Sequence, residues 1–165
     1  MAAGCRAEEA LPDHGDAMTW LRSPLRRLLS PSEERAVILA IRGAEAKTSG
    51  EIRVHVERRS ADPIASARQW FAKLGMEATA ERNGILFYVA IDDRTFAVVG
   101  DAGIHEKVGD AFWTALRDEL RDSFAKGEAA NGLIRAIGDA GTRLAEHFPR
   151  RGDDRNELSD EISYR

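Results

Sequence analysis

The most restrictive feature of this sequence is a run of seven consecutive apolar residues at positions 85–91. A run of this length without a polar position predicts a strand that is covered on both faces in the interior of a sheet. A short polar segment at 92–94 follows, and then a second apolar run at 95–99 that leads into Gly100 and Asp101. Two apolar runs joined by a short polar turn are typical of a β-hairpin.

Two helix start signals flank a shorter strand pattern nearer the N-terminus. Proline and glutamate follow an N-cap serine at Ser30, and proline follows an N-cap aspartate at Asp62, so a helix is predicted after each. Between them, apolar and polar residues alternate over 51–59, which predicts a strand with one lightly covered face. Because a helix connects this strand to the buried one, the two strands should be parallel.

Two further helices are predicted after the hairpin. The first covers about residues 104–126, with apolar residues at every fourth position, and the second ends at Pro149. Trp70 and Trp113 lie off the main apolar stripes, which favours half-burial over a partner surface. The order of elements predicts an α/β layered domain with a small mixed sheet of three or four strands.

Chain length favours one domain, since 165 residues are too few for two well-developed cores. The sequence suggests a variable N-terminal extension at 1–29, in which an apolar segment begins at Trp20, and a polar C-terminal tail at 150–165. The folded domain should cover 30–149.

Composition argues against several classes of protein. A formal net charge of -4 disfavours a nucleic-acid binder that works by neutralising phosphates. The single cysteine, Cys5, excludes an internal disulfide and a multi-cysteine zinc site. No apolar run is long enough for a membrane span or a secretory leader, so we expect a cytoplasmic protein without an integral membrane segment.

Acidic residues gather where the two parallel strands would end. Asp62, Asp92 and Asp93 should lie at this carboxyl edge of the sheet, the usual place for ligands in open α/β sheets. Carboxylates combined with loop carbonyls suit a hard cation such as calcium or another divalent ion. The competing interpretation is a solvated turn at Asp92 and Asp93 and a simple helix cap at Asp62.

A second polar set is predicted at the opposite edge of the sheet, where the hairpin returns Asp101 beside Glu51 and Asn83. His105 follows in the first turn of the next helix, and a helix N-terminus disfavours the imidazolium form. Glu51, Asp101 and His105 are therefore weak candidates for proton chemistry. The alternative is that Asp101 only caps the helix and His105 lies on its surface.

Several segments, taken in this order, resemble the TPM domain family over roughly residues 29–148. They are AEAKTSGEIRV at 44–54, RNGIL at 82–86, VGDAGIH at 99–105 and GLIRAI at 132–137. The resemblance implies a single three-layer Rossmann-like α/β/α domain. It also implies calcium binding or an acid phosphatase activity, both of which have been linked to plant members.

The resemblance and the residues together suggest two functions. The first is a small soluble TPM-like module that binds calcium or another divalent cation at strand-end loops and acts through an unidentified protein partner. The alternative is a metal-dependent acid phosphatase of low specificity. We rank it second because the sequence has no Cys-x5-Arg loop, no Asp-x-Asp nucleophile pair after a strand and no P-loop.

Overall fold

The fold is a mixed sheet with helices on both faces. A computed structural model describes residues 3–5, 28–152, 156 and 158–165, with residues 3–5 described by their backbone. Of the predicted apolar segment that begins at Trp20, only the end, Leu28 and Leu29, falls within the described residues, and Leu29 is buried in the core. The strands are β1 (Ala3–Cys5), β2 (Glu51–Glu57), β3 (Gly84–Ala90), β4 (Thr95–Gly100) and β5 (Ser163–Tyr164). The helices are α1 (Pro31–Glu45), α2 (Pro63–Lys73), α3 (Ala102–Ala125) and α4 (Ala129–His147).

The sheet confirms the predicted crossover and hairpin. Its strand order is β1-β4-β3-β2-β5. Strands β2 and β3 are parallel, with Glu51 opposite Gly84 and Glu57 opposite Ala90. Strands β3 and β4 are antiparallel. Since β2 and β3 begin at the same edge, the acidic residues before and after them lie at opposite edges of the sheet.

Two apolar cores give the domain its three layers. One core packs alternate residues of the sheet, such as Val54 and Phe87, against α1, α3 and α4. The other packs Leu86 and Tyr88 against Phe71 of α2. Both faces of β3 are therefore covered, as its unbroken apolar sequence predicts, and the three-layer α/β/α fold class is confirmed.

The prediction of a lightly covered face on β2 is wrong. Three of the polar residues that alternate with its apolar ones are buried: Glu51, Arg53, which is 8% exposed, and His55, which is fully buried. The ring of Trp70 on α2 stacks on His55 with ring centroids 3.8 Å apart. Burial lowers the pKa of His55 to about 4. The alternating pattern predicted the strand correctly. It did not predict the burial of the polar face, because His55 is buried as a neutral ring beneath Trp70.

Helix α3 also differs from its prediction, in which Trp113 was expected to be half-buried. Gly109 interrupts the helix with φ 69° and ψ 178°. This break changes the direction in which later side chains point, and Trp113 is fully buried. Its ring fills the space over Gly100, where a Cβ atom would overlap it. Because the apolar residues keep a regular spacing across Gly109, the sequence pattern does not indicate the break or the burial of Trp113.

Two short edge strands were not predicted. The backbone of β1 pairs antiparallel with β4, and β5 pairs in parallel with His55 and Val56 of β2. Ile162, just before β5, is buried in the core beneath α1, α3 and α4. Part of the segment expected to be a polar tail therefore belongs to the sheet.

Candidate functional site

At the carboxyl edge of the sheet, the predicted metal ligands Asp92 and Asp93 have protein partners. Asp92 Oδ2 lies 2.9 Å from Arg58 Nη2 and 3.6 Å from Arg59 Nε. Asp93 Oδ2 accepts a hydrogen bond of 2.6 Å from the Ser60 N–H. Two arginines that follow β2 thus place positive charges beside the Asp92 carboxylate, which disfavours a cation there.

Asp62, the third predicted metal ligand, caps α2. Its Oδ1 accepts hydrogen bonds of 3.0 Å from the N–H groups of Ile64 and Ala65. This is the capping role that the alternative interpretation gave it. Metal binding by Asp62, Asp92 and Asp93 stays a prediction.

At the opposite edge, Asp101 caps α3 and is neutralised by an ion pair. Its buried carboxylate receives two hydrogen bonds from Arg82, of 2.8 Å and 2.9 Å. It also accepts a 2.7 Å hydrogen bond from the Ala102 N–H. Asp101 thus caps α3, and Arg82 holds its carboxylate through a bidentate guanidinium contact. A role of Asp101 in proton chemistry stays a prediction.

His105 lies along α3, facing residues of its own helix. Its Nδ1 accepts a 3.0 Å hydrogen bond from Trp113 Nε1, so the Nε2 atom carries the proton of the neutral ring. That Nε2 atom lies 3.8 Å from Asp110. These two contacts, both with residues of α3, fix the ring orientation.

Glu51, the remaining predicted candidate, lies in a cleft of about 190 Å³ beside the start of β2. We call this the amino-end cleft. Its lining residues come from the end of α1, the turn before β2 and the C-terminal segment; they are Arg42, Glu45, Ala46, Thr48, Ser49, Gly50, Glu51, Arg150, Asn156 and Asp160. Asn83 reaches its rim, because Asn83 Nδ2 donates a 3.2 Å hydrogen bond to Ser49 Oγ.

Glu45 is the most unusual side chain in this cleft. It is the last residue of α1 and is only 6% exposed. Its Oε1 accepts a 2.7 Å hydrogen bond from the Ile52 N–H at the edge of β2. Among the described residues no hydrogen-bond donor reaches its other oxygen, Oε2. Buried as a carboxylate, this oxygen would be costly without a positive partner, so a proton or a cation is expected beside it.

The charges around Glu45 explain its protonation. Burial raises the pKa of Glu45 to about 9, and the neighbouring carboxylates of Asp160 and Glu51 add to this rise. Burial alone would raise the pKa of Asp160 as well, but hydrogen bonds from Glu45, Asn156 and Arg42 together lower it. A proton on Glu45 is therefore donated to the Asp160 carboxylate. Two negative carboxylates at Glu45 and Asp160 would repel each other, and a proton held between them removes this repulsion.

Two arginines balance part of the negative charge. Arg42 Nε lies 3.1 Å from Asp160 Oδ2 at the mouth of the cleft. Arg53 is largely buried and faces Glu45, Glu51 and Asp160. The cleft is thus a mixed-charge site in which carboxylates are close and arginines limit their mutual repulsion.

Sequence reasoning missed Glu45, Asn156 and Asp160. Glu45 has the spacing of an ordinary helix-end residue, and the other two lie in a segment that reads as polar tail. Local patterns contain no signal that these positions meet, because the fold brings them together from opposite ends of the chain.

Comparison with known proteins connects this fold to one family. The sequence model of the TPM domain matches residues 25–143. The NMR structure of BA42 from the psychrophilic bacterium Bizionia argentinensis is similar, with a TM-score of 0.79 and 42% identity over 86% of this chain and 98% of that one. A search of curated proteins found no match.

A second solved structure is similar in fold. It is the N-terminal domain of cg2496 from Corynebacterium glutamicum, with a TM-score of 0.56 and 17% identity over 70% of this chain and 74% of that one. Within the described residues, no helix has the length and apolar character needed to cross a membrane. The match over most of the chain and the similarity to BA42 show that this chain belongs to the TPM domain family.

Proposed function

We propose that this TPM domain binds a divalent cation, calcium first among them, in the amino-end cleft and acts through protein contacts without catalytic turnover. The observation that carries the proposal is the pair formed by Glu45 and Asp160. Glu45 Oε2 is buried without a donor and faces the Asp160 carboxylate. A cation between the two oxygens would supply the positive charge that the proton supplies in its absence.

The donor set fits a hard cation. Glu45, Glu51, Asp160 and Asn156 all line the cleft, and calcium prefers carboxylate and side-chain carbonyl oxygens as ligands. Across the described ranges no three His, Cys, Asp or Glu side chains are already grouped as a metal site. Binding would therefore draw the carboxylates together, and we expect an affinity in the millimolar to micromolar range typical of sites that are not preformed, roughly 10⁻³ to 10⁻⁵ M.

The carboxyl edge is the weaker of the two locations. Asp92 already pairs with Arg58 and Arg59, whereas Glu45 Oε2 has no donor. A cation at Asp92 would have to displace two guanidinium groups. In the cleft Arg42 pairs with Asp160, but among the described residues Glu45 Oε2 accepts from no guanidinium, so at that oxygen a cation would replace a proton.

Isothermal titration calorimetry, with calcium titrated into the wild-type protein and its variants, tests the proposal. Glu45→Gln and Asp160→Asn keep the shape of each side chain and remove its charge, so each should weaken calcium binding by about tenfold or more. Asp92→Asn and Asp93→Asn are matched controls at the other edge and should leave binding unchanged. Absence of any heat up to several millimolar calcium would contradict the proposal, and loss of binding only in the Asp92 and Asp93 variants would move the site to the carboxyl edge.

A metal-dependent acid phosphatase of low specificity is the second candidate. The observation in its favour is that Arg42 and Arg150 line the same cleft, and guanidinium groups bind phosphate well. Hydrolysis of p-nitrophenyl phosphate that requires a divalent cation and is lost in Asp160→Asn would support it. A cytoplasmic location and a protein partner stay predictions, which imaging of a tagged protein and affinity purification would test.

A further inference from the structure

The C-terminal segment completes both the sheet and the amino-end cleft. We call Asn156 and residues 158–165 the C-terminal strap. Its Ile162 is buried in one core, and its Leu158 packs against the other core, beside α2. The strap therefore crosses the open edge of β2 and is attached to the apolar layers on both sides of the sheet.

Polar contacts fix the end of the strap along β2. Ser163 Oγ and His55 Nδ1 are 3.0 Å apart in a hydrogen bond. The Arg165 N–H donates a 3.0 Å hydrogen bond to the Val56 carbonyl. The strap thus supplies the strand partner of β2 at His55 and Val56.

The other end of the strap forms a wall of the cleft. Asp160 accepts hydrogen bonds of 3.1 Å from Arg42 Nε and 2.5 Å from Asn156 Nδ2. Glu45, on the opposite wall, belongs to α1 and is bound to β2 through Ile52. The two facing carboxylates therefore come from different parts of the fold, one from the strap and one from the body of the domain.

We infer that cation occupancy of the amino-end cleft and docking of the C-terminal strap are coupled, so that the ion fastens the strap to β2. This inference rests on the proposed cation binding. An ion held by Glu45 and Asp160 at once bridges the strap and the domain, and it loses the ligands that the strap supplies whenever the strap detaches. By thermodynamic linkage, docking of the strap strengthens ion binding by the same factor by which the bound ion strengthens docking, so a variant whose strap is largely undocked must bind the ion more weakly.

The coupling gives the bound ion a structural consequence. Release of the strap would uncover the edge of β2 at His55 and Val56 and the imidazole of His55, which is fully buried in the docked form. An uncovered sheet edge is a template for pairing with another extended segment. Loss of the cation would therefore favour the form of the domain that presents this edge.

Amide hydrogen exchange of the full chain, measured by NMR, tests one direction of the coupling. The Arg165 N–H reports strap docking because it is bonded to Val56. Saturating calcium should slow its exchange by about fivefold or more. The Gly127 N–H, bonded to Phe124 at the end of α3, is the control and should exchange at the same rate with and without calcium.

A variant that loosens the strap without substituting a residue that lines the cleft tests the reverse direction. Leu158→Ala combined with Ile162→Ala removes both apolar anchors and should weaken calcium binding by about fivefold or more. Leu39→Ala, at an exposed leucine of α1, is the matched control and should bind calcium as the wild type does.

The outcomes separate the coupling from the proposed function. If wild-type protein binds calcium but the Arg165 exchange rate and the affinity of the double variant are both unchanged, the coupling is overturned and cation binding stands. If the wild type does not bind calcium, both are overturned. A wild type in which calcium slows Arg165 exchange supports the coupling even if the double variant does not fold.

Discussion

The Glu45 side chain takes the place of a neighbouring strand at Ile52: its Oε1 accepts the Ile52 N–H at 2.7 Å. Strand β5 covers the edge of β2 further along, at His55 and Val56. A glutamine would satisfy the same N–H with its carbonyl oxygen and carry no charge. Glu45 therefore makes a structural contact that does not require a carboxyl group, in a place where a carboxyl group is costly.

The first prediction is that Glu45→Gln stabilises the protein in the absence of divalent ions. The pKa of Glu45 is raised from 4.5 to about 9, so between these values the folded state holds a proton that the unfolded state releases. Stability is then lost progressively as pH rises through this window. Glutamine removes the loss, and we expect a gain of about 2 kcal/mol at pH 8 and little change near pH 4.

Urea unfolding at the two pH values measures this difference. Glu106→Gln, at an exposed position of α3, is the control and should change stability little at either pH. A loss of stability in Glu45→Gln at pH 8 would show that the carboxyl group is needed for the fold itself.

The second prediction concerns pH and His55. Burial lowers its pKa from 6.5 to about 4, so between these values the unfolded state binds a proton that the folded state excludes. The His55 contribution to stability should be complete above pH 6.5 and be lost as pH falls toward 4, by about 2 kcal/mol; over part of this range it opposes the contribution of Glu45. His55→Gln should flatten this part of the stability profile, whereas His105→Gln, at a partly exposed position, should keep it. Chemical unfolding at half-unit pH steps is the measurement.

The third prediction compares the two aspartate caps. Asp62→Ala removes an exposed cap of α2 and should cost about 1 kcal/mol. Asp101→Ala removes a fully buried cap that also receives two hydrogen bonds from Arg82. Its cost should be larger, about 2 to 3 kcal/mol, because the charge-assisted contacts are lost with the cap. Equal losses of thermal stability in the two variants would argue that the Arg82 contacts contribute nothing.

The fourth prediction concerns the space between Gly100 and Trp113. A Cβ atom at Gly100 would overlap the Trp113 ring, which is fully buried. Gly100→Ala should therefore cost about 2 kcal/mol through overpacking. Gly138→Ala is the matched control: a Cβ at Gly138 meets nothing within 4 Å, and alanine in the helix should stabilise by about 0.5 kcal/mol. Thermal unfolding of both variants compares them directly.

Much of the fold could be predicted from local pattern. The capping residues Ser30 and Asp62 and the unbroken apolar run of β3 each indicate an element through short-range physics. The crossover then follows from connectivity. Local pattern failed where tertiary structure decides which side chains are buried. At Gly109 a single break in the helix accompanies the burial of Trp113.

The candidate site could be predicted only in part. Glu51 was identified because strand starts are visible in the sequence. Glu45 and Asp160 were not, since their meeting depends on the path of the C-terminal strap across β2. Such a contact depends on packing of Ile162 and Leu158, and no local rule relates these residues to Glu45.

The most direct measurement is two-dimensional amide NMR of the wild-type protein during calcium titration. Glu45 holds the Ile52 N–H, so the amide signals of Ile52 and Asp160 should shift most and follow one saturation curve. The signals of Asp92 and Asp93 should stay where they are. Shifts confined to Asp92 and Asp93, or no shift at all up to several millimolar calcium, would contradict cation binding in the amino-end cleft.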